Sequence, residues 1–503
     1  MEESAATLIV YLLLASGALL WLVFIRNKEK IHLPPGPPGW LIIISLLRIN
    51  FSNHSLQDYA YKLHQKYGSI LTIRMGSRPL IMVSSHELAH EALVQKGSIF
   101  ASRPPPQGLI KLFSTDQTSI NGAPYGALWR DLRKNLMTQV LNTSPLKSFR
   151  EGREWGMEVL MESLIAASKN KELGGVVTVI DHVRDALVCM VSYMCFGLRL
   201  EEKSIADIAA FWTELRHSGV GLPLNDLFPL LNVFYRKQGK RMRDLRGRQH
   251  ELLVPLIERR RRALTEGKEV GRGYVDSLLF LTVEGGRRRL SEEEVVTLCS
   301  EFLNAAADTT SSVIQWAMAR LVMNEDCQGK LYREIADVMG KRGRAVEEED
   351  LRKMVYLEAV VKETLRLHPP EKIVLSHAVT RACSLGGYDV PAHAWLNFHV
   401  WEMGMDPKVW PNPSEFIPER HLNEEIDLTG SKQIKMMPFG VGRRICPGLD
   451  LAMLHIPLIV ARLVQKFVWE CKPGEVVDLT ETHEFSIVMK NPLQAIIKER
   501  DSQ

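Results

Sequence analysis

Hydrophobic positions divide the chain into an apolar N-terminal segment and a long, mainly helical remainder. Residues 5–25 are apolar and uncharged, and at ~1.5 Å per residue a helix of that length crosses the ~30 Å hydrocarbon layer of a membrane. Residues 145–290 follow a mostly helical period, and residues 291–323 form a long apolar-rich helix that opens with a capping box from Ser291 to Glu294. β-rich runs are short. The pattern predicts a mainly α-helical protein with small β-sheets and one N-terminal transmembrane helix.

Charges on either side of the apolar segment predict its orientation. Two glutamates precede it and Arg26, Lys28 and Lys30 follow it, and basic residues mark the cytosolic side of a membrane helix. A signal peptide that is removed is the alternative, but no small-residue cleavage site is evident. We therefore predict a membrane anchor over residues 1–30, a stiff proline-rich hinge over residues 31–40 and a cytosolic body over residues 41–503.

Charge and cysteine content argue against two broad classes of protein. The 503 residues include 63 basic and 59 acidic side chains, a net charge of +4, whereas nucleic-acid-binding proteins normally carry a strong basic excess. The seven cysteines are odd in number and lack the paired short spacing of metal sites. They indicate a reducing compartment rather than a disulfide framework.

A glycine-rich stretch, residues 437–448, places one cysteine in a reactive context. Cys446 precedes an apolar run that begins at Leu449, and a thiolate at a helix N-terminus is stabilised by free backbone N–H groups and the helix dipole. Gly440, Gly442 and Gly448 allow the backbone to approach a bulky flat group. A plain buried cysteine between turn glycines is the alternative. The stretch predicts a thiolate presented to a metal on a planar cofactor.

The order Phe439-x-x-Gly442-x-Arg444-x-Cys446-x-Gly448 resembles the haem-binding signature of the cytochrome P-450 superfamily. The resemblance implies that residues 41–503 form one haem-thiolate catalytic domain with the cytochrome P-450 fold. It also implies haem b as the cofactor and Cys446 as the axial iron ligand. It also implies that Phe439, Gly442, Arg444 and Gly448 surround the haem. The likeness extends over residues 33–500 and is closest to plant A-type microsomal members.

Two further segments predict groups that hold the haem propionates. Trp129 and Arg133 are four residues apart, so they share one helix face, and an indole N–H together with a guanidinium suits a carboxylate. In the family a helix with this pair holds a propionate. His377 stands where the family places another propionate donor, although a lone histidine is more often a satisfied core residue.

Asp308 and Thr309 lie within the long helix, where both are poor helix formers. A threonine hydroxyl bonded to its own helix is the alternative to a functional role. The resemblance implies that the two residues are the acid–alcohol pair that delivers protons for oxygen activation. Ala306 stands where the family usually has glycine, so its methyl group is expected to narrow the oxygen groove.

Glu363 and Arg366 share a helix face, and Arg420 follows in the segment 416–420. On spacing alone the first two are an ordinary surface pair of little energetic value. The resemblance implies a buried ion network of all three that positions the cysteine loop. His421 replaces the phenylalanine that is more usual after this arginine.

The implied reaction inserts one oxygen atom from O2 into a small, largely apolar substrate. The chain has no nucleotide site of its own, because Ile445 stands where a dinucleotide motif needs its third glycine. Electrons are therefore expected from NADPH through an NADPH-cytochrome reductase, with a cytochrome b-type donor as a second candidate partner, at the endoplasmic reticulum membrane. The residues proposed to dock an acidic partner are Lys134, Lys432, Lys435 and Arg443.

Two other functions stay open at this stage. One is an O2-independent haem-thiolate isomerase or dehydratase, against which the presence of Asp308 and Thr309 argues. The other is a non-catalytic membrane haem protein, against which the complete set of ligand and proton-delivery residues argues. The substrate itself is not predicted.

Overall fold

Helices make up most of the structure, a computed structural model that describes residues 31–38, 56–75, 78–106, 110–170, 174–218, 236–267, 271–340 and 344–500. The described helices are α1 (Leu56–Tyr67), α2 (His86–His90), α3 (Gly97–Phe100), α4 (Ile110–Phe113), α5 (Ala127–Leu136), α6 (Thr143–Ser148), α7 (Arg150–Ser168), α8 (Val179–Phe196), α9 (Glu202–Arg216), α10 (Arg236–Thr265), α11 (Tyr274–Phe280), α12 (Glu292–Met323), α13 (Glu325–Met339), α14 (Val355–Leu367), α15 (Val400–Gly404) and α16 (Leu449–Lys466).

Short strands account for the rest of the regular structure. They are β1 (Ile70–Met75), β2 (Arg78–Val83), β3 (Val176–Thr178), β4 (Thr282–Val283), β5 (Arg288–Arg289), β6 (His377–Ala378), β7 (Cys383–Leu385), β8 (Tyr388–Val390), β9 (Trp395–Phe398), β10 (Phe467–Cys471), β11 (Glu481–His483), β12 (Ile487–Met489) and β13 (Gln494–Glu499). The described strands form a four-stranded sheet in the order β1-β2-β9-β6, a three-stranded sheet in the order β10-β13-β3, and three two-stranded sheets. The predicted mainly helical fold with small sheets is confirmed.

The long helix α12 is the central element that positions the site. Ser291 Oγ accepts a hydrogen bond of 3.3 Å from Glu294 N, and Glu294 accepts one of 2.7 Å from Ser291 N, which confirms the predicted capping box. The side chains of residues 311–319 are all buried, because α8, α10, α14 and α16 pack around this helix. Because neighbouring helices pack on every side, the middle turns of α12 are held in a fixed position next to the cavity that the next subsection describes.

The short β-rich runs form hairpins. β1 pairs with β2 in antiparallel register from Ile70 opposite Val83 to Met75 opposite Arg78. β7 pairs with β8 across Gly386 and Gly387, whose φ values are 58° and 82°. Positive φ at both turn positions is the geometry of a tight hairpin turn and favours glycine.

The described part of the predicted hinge lies against the sheet. The carbonyl oxygen of Pro35 accepts a hydrogen bond of 2.8 Å from the backbone N–H of Thr72 in β1. A Cβ on Gly36 would lie 1.9 Å from Thr72 O, so this contact requires glycine. The predicted anchor at residues 5–25 lies outside the described residues. Within the described ranges, no helix combines the length and hydrophobicity that crossing a membrane requires.

Candidate active site

A cavity of about 290 Å³ lies between α12, α5 and the cysteine loop. Its wall includes most residues that the sequence predicts for the site. Those that line it are Trp129, Arg133, Thr309, His377, Phe439, Arg444, Cys446 and Gly448. Gly442 and Asp308 are not among the lining residues. Segments that are far apart in the chain therefore meet in one enclosed, largely apolar space.

The cysteine loop is held by its own backbone. Cys446 N donates a hydrogen bond of 2.8 Å to the carbonyl of Phe439, and Gly440 N donates one of 2.9 Å to Met437 O. Gly442 has a φ of 76°, and a Cβ there would lie 2.1 Å from the carbonyl oxygen of Leu93. No side chain fits between the loop and Leu93. Glycine at position 442 therefore allows the loop to lie this close to Leu93.

Cys446 stands just before α16, with its thiol facing the cavity. Burial raises the pKa of Cys446, while the backbone N–H of Gly448 and the charge of Arg133 oppose that rise. Burial therefore favours the protonated thiol over the thiolate. Coordination of a metal cation by the sulfur would displace the proton and stabilise the thiolate.

Two unsatisfied donors on α5 test whether the cavity suits a haem. Trp129 is buried, and its indole Nε1 has no hydrogen-bond partner. Arg133 forms no ion pair or hydrogen bond with any described residue, and burial lowers its pKa, although Cys446 opposes that change. A buried donor without a partner is costly. A propionate carboxylate would satisfy both groups, so these residues fit the cofactor that the sequence motif implies.

Arg444 ties the cysteine loop to the segment that follows α3. Its guanidinium donates to the carbonyls of Ala101, Ile120 and Ala123 at 2.6, 3.1 and 2.5 Å. It also lies 4.5 Å from the centre of the Trp129 ring, a cation–π geometry. Burial lowers the pKa of Arg444 to about 9. The stacking holds the Trp129 ring against the cysteine loop.

Arg103 is a cavity residue that sequence reasoning missed. It donates to the carbonyls of Asn121, Leu375 and Ser376 at 3.0, 2.6 and 3.0 Å, and burial lowers its pKa to about 10. It joins the two loops on either side of the cavity. No local pattern could have identified it, because its partners are backbone atoms of segments 18 and 272 or more residues away.

His377 lies beside these arginines. Its Nδ1 is 2.6 Å from the carbonyl oxygen of Phe100, so Nδ1 carries a proton. Burial, together with the charges of Arg103 and Arg444, lowers the pKa of His377 to about 3. Nε2 can donate to a propionate only in the imidazolium form. An anion bound nearby would favour that form.

Asp308 and Thr309 are adjacent in the chain but face different surroundings. Thr309 lines the cavity, and its hydroxyl donates a hydrogen bond of 2.7 Å to Ala305 O. Asp308 is 3% exposed and accepts a hydrogen bond of 2.8 Å from Ser486. Arg216 and Arg184 lie 3.4 and 3.7 Å from its other oxygen. Within helix α12, the alcohol thus faces the cavity and the acid faces a buried ionic cluster.

A second acid of α12, Glu301, lines the cavity and was not predicted. Its two oxygens accept hydrogen bonds of 2.8 Å from the backbone N–H groups of Ile120 and Asn121. Burial raises the pKa of Glu301, although these two bonds oppose the rise. The carboxylate therefore fixes the loop over the cavity. Sequence offered no signal for it, since a single glutamate in a helix is ordinary.

The structure brings Glu363, Arg366 and Arg420 together. Glu363 is fully buried and accepts from Arg366 at 2.7 and 2.8 Å and from Arg420 at 3.0 Å. His421 Nε2 lies 2.8 Å from the same carboxylate, and Ile417 N donates at 3.0 Å. The residue noted as a departure from the family is therefore a further member of the network.

This network reaches the cysteine loop through one tryptophan. The guanidinium of Arg366 lies 5.4 Å from the Trp410 ring, and Trp410 Nε1 donates a hydrogen bond of 3.3 Å to Lys435 O. Trp410 also belongs to a hydrophobic cluster against which Phe439 packs. The network therefore supports the cysteine loop on the side that faces away from the cavity, and the network residues do not line the cavity.

The four basic residues proposed as a docking patch differ in their contacts. Lys134, Lys432 and Arg443 are exposed. Lys435 is only partly exposed and forms an ion pair with Glu424 at 2.5 Å. Arg443 donates a hydrogen bond of 2.6 Å to the hydroxyl of Tyr125.

Comparison with known proteins agrees with this geometry. A sequence profile described as Cytochrome P450 matches residues 34–498. Among curated proteins, Cytochrome P450 89A9 from Arabidopsis thaliana is 38% identical over 98% of this chain and 99% of its own length. The flavonoid 3'-monooxygenase from Petunia hybrida is 30% identical over 97% of this chain and 96% of its own length. The 6,7,8-trihydroxycoumarin synthase from Pastinaca sativa is 30% identical over 95% of each chain.

A solved structure shares the fold. The zebra fish cytochrome P450 with progesterone superposes with a TM-score of 0.77 at 23% identity, covering 89% of this chain and all of that one. The curated relatives named above are plant proteins, as the resemblance to plant A-type members predicts.

Proposed function

The chain belongs to the cytochrome P-450 family of haem-thiolate monooxygenases, and we propose that it inserts one oxygen atom from O2 into a small, largely apolar substrate. One observation carries this proposal. Cys446 and Thr309 line the same cavity, whose wall also holds the unsatisfied indole N–H of Trp129. The sulfur, the indole N–H and the hydroxyl that the proposed reaction requires thus belong to residues of one cavity wall.

When bound, haem b supplies the iron at which O2 is reduced. Cys446 would ligate the iron through its sulfur, and Trp129 and Arg133 would hold a propionate. The cavity wall is otherwise largely apolar, with side chains such as Leu298 and Phe302. These side chains bind the substrate by the hydrophobic effect and exclude bulk water from the reacting groups.

Thr309 is the residue of this chain best placed to hold a proton in the cavity. The hydroxyl hydrogen of Thr309 is already used in the bond to Ala305 O. The lone pairs of the hydroxyl oxygen are not used in that bond, so the oxygen can accept a hydrogen bond from a water molecule. Ala306 also lines the cavity, and its methyl group narrows the space beside Thr309. Asp308 would act through Ser486 or ordered water rather than by direct contact.

We propose that electrons come from NADPH through a membrane-bound reductase at the endoplasmic reticulum, with the catalytic domain in the cytosol. The exposed Lys134 and Lys432 support this, since they can attract an acidic partner. Replacing both by glutamate should slow reduction by the reductase severalfold and leave reduction by dithionite unchanged. Lys203→Glu, at an exposed lysine of α9, is the matched control. Equal rates for the double variant and the control would contradict this docking surface.

The carbon monoxide difference spectrum of the reduced protein tests the haem-thiolate assignment. We expect the red-shifted band of thiolate ligation in the wild type and its loss in Cys446→Ser. A haem spectrum without that shift would show that Cys446 is not the ligand. Turnover with reductase and O2 then tests oxygen insertion.

A second candidate is an O2-independent haem-thiolate isomerase or dehydratase. The position of Asp308 outside the cavity wall favours it, because such enzymes need no acid for oxygen activation. Incubation with 18O2 separates the two reactions. Label in the product supports the monooxygenase, and unlabelled product formed under argon supports the alternative.

A further inference from the structure

Most charged groups in the cavity wall are already satisfied by the protein. Arg103 and Arg444 each donate to three backbone carbonyls. Glu301 accepts from two backbone N–H groups. Arg133 is the exception among the cations, and it stands with Trp129 where a haem propionate fits.

Glu371 is different because its carboxylate lines the cavity without a strong partner. The nearest cationic group is His483, whose Nε2 lies 3.5 Å from Oε2. A charge-assisted hydrogen bond is usually ~2.7–2.9 Å long. The other oxygen, Oε1, has no hydrogen bond or ion pair with any described residue. Neighbouring Lys372 does not compensate, since it forms an ion pair of 2.5 Å with Glu481.

The surroundings of Glu371 make a carboxylate with only one weak partner unfavourable. Pro370, Val374 and Leu375 line the same stretch of wall. Burial raises the pKa of Glu371 and the negative charge of Asp308 adds to that effect, while His483 opposes it. A carboxylate in an apolar cavity is stabilised best by a cation that arrives with the ligand.

An aromatic ring stands in the same cavity wall. Phe485 lines the cavity and keeps 43% of its surface exposed. A carboxylate combined with an aromatic face is a good receptor for a positively charged nitrogen. A neutral hydroxyl group on a ligand would interact with the carboxylate but not with the aromatic face.

Resting on the proposed function, we infer that Glu371 binds a positively charged nitrogen of the substrate. The substrate class is then a largely apolar molecule that carries one cationic group. Glu371 determines specificity in this assignment, and the oxygen chemistry stays with the haem, Cys446 and Thr309.

Two probe ligands of equal shape but different charge show how much the charge contributes to binding. Benzyltrimethylammonium is a quaternary cation that cannot ligate iron, and neopentylbenzene is its neutral isostere. Binding of each to the haem-loaded full chain is measured by calorimetry and by the spectral shift on ligand entry. We expect the wild type to prefer the cation and Glu371→Gln to lose about tenfold in affinity for the cation only, the scale of one charge-assisted contact.

Glu475→Gln is the matched control. Glu475 is exposed, pairs with Lys472 and does not line the cavity, so its replacement should leave both affinities unchanged. Equal affinity of the wild type for the two probes would overturn the inference, as would an unchanged preference in Glu371→Gln. A normal carbon monoxide spectrum alongside either result would leave the proposed function standing.

A variant that fails to fold does not prevent the test. Glu371→Asp keeps the charge and should keep the preference for the cation. In the wild type alone, added salt should weaken binding of the cation and not of the neutral probe, because screening acts only on charge. Salt-independent binding of the cation would also overturn the inference.

Discussion

The carboxylate of Asp308 accepts a 2.8 Å hydrogen bond from the hydroxyl of Ser486, 178 residues further along the chain. This contact turns the acid away from the cavity that the next residue, Thr309, lines. Adjacent positions on α12 project in directions about 100° apart, since the helix has ~3.6 residues per turn. The alcohol is thus positioned for chemistry, and the acid is positioned for a buried ionic cluster.

Thr309→Ala should uncouple electron use from product formation. Loss of the cavity hydroxyl removes the group that holds a proton there, so we expect product per NADPH to fall roughly a hundredfold, the lower end of the range for positioned proton transfer. Peroxide release should rise to match. Measurement of product, NADPH and peroxide together checks this.

Thr309→Ser keeps the hydroxyl and should restore most of the coupling. Asp308→Asn should behave differently, since it weakens the pairing of Arg216 and Arg184 and should lower the thermal midpoint more than Thr309→Ala does. Full coupling in Thr309→Ala would refute a proton-handling role for this residue.

Glu363 should make the stability of the fold depend on acid pH. Burial alone would raise its pKa, but hydrogen bonds from Arg366 and His421 outweigh burial and lower the pKa from 4.5 to about 2. Because the folded-state pKa is the lower one, the stabilisation is present above about pH 4.5 and is lost as the pH falls towards 2. The shift corresponds to about 3 kcal/mol.

Glu363→Gln should therefore unfold more easily at pH 7, and its stability should change less between pH 4.5 and 2. Chemical unfolding at several pH values measures both effects. Glu358→Gln is the control, since that glutamate is on the same helix but exposed, paired with Lys362. An identical pH profile for Glu363→Gln and wild type would contradict this assignment.

Gly442→Ala should prevent stable haem incorporation. The added Cβ would lie 2.1 Å from Leu93 O, and the φ of 76° is itself unfavourable for alanine. Gly440→Ala is a matched comparison, because its φ is 65° but nothing lies near the new Cβ. We expect it to cost only about 1 kcal/mol. The haem content of each purified variant tests this prediction. Equal haem content in the two variants would mean that the loop can move away from Leu93.

Local patterns predicted much of this molecule. Helical period and the capping box at Ser291 located α12, because both depend on residues a few positions apart. The cysteine motif likewise located the loop that carries Cys446. The direction of Asp308, the role of Arg103 and the place of His421 in the Glu363 network depend on partners between 18 and 272 residues away. Such contacts leave no periodic signal, so only the folded structure reveals them.

Trp129→Phe tests the fit of the cofactor directly. The change removes only the unpartnered indole N–H and keeps an aromatic ring beside Arg444. A hydrogen bond to a carboxylate contributes about 1.5–3 kcal/mol, so we expect haem to dissociate roughly ten- to a hundredfold faster, as measured by transfer to an excess of apomyoglobin. Trp155→Phe, at a tryptophan of α7 beside Arg199, should leave the dissociation rate unchanged. If both variants lose haem at the wild-type rate, the indole N–H does not hold a propionate.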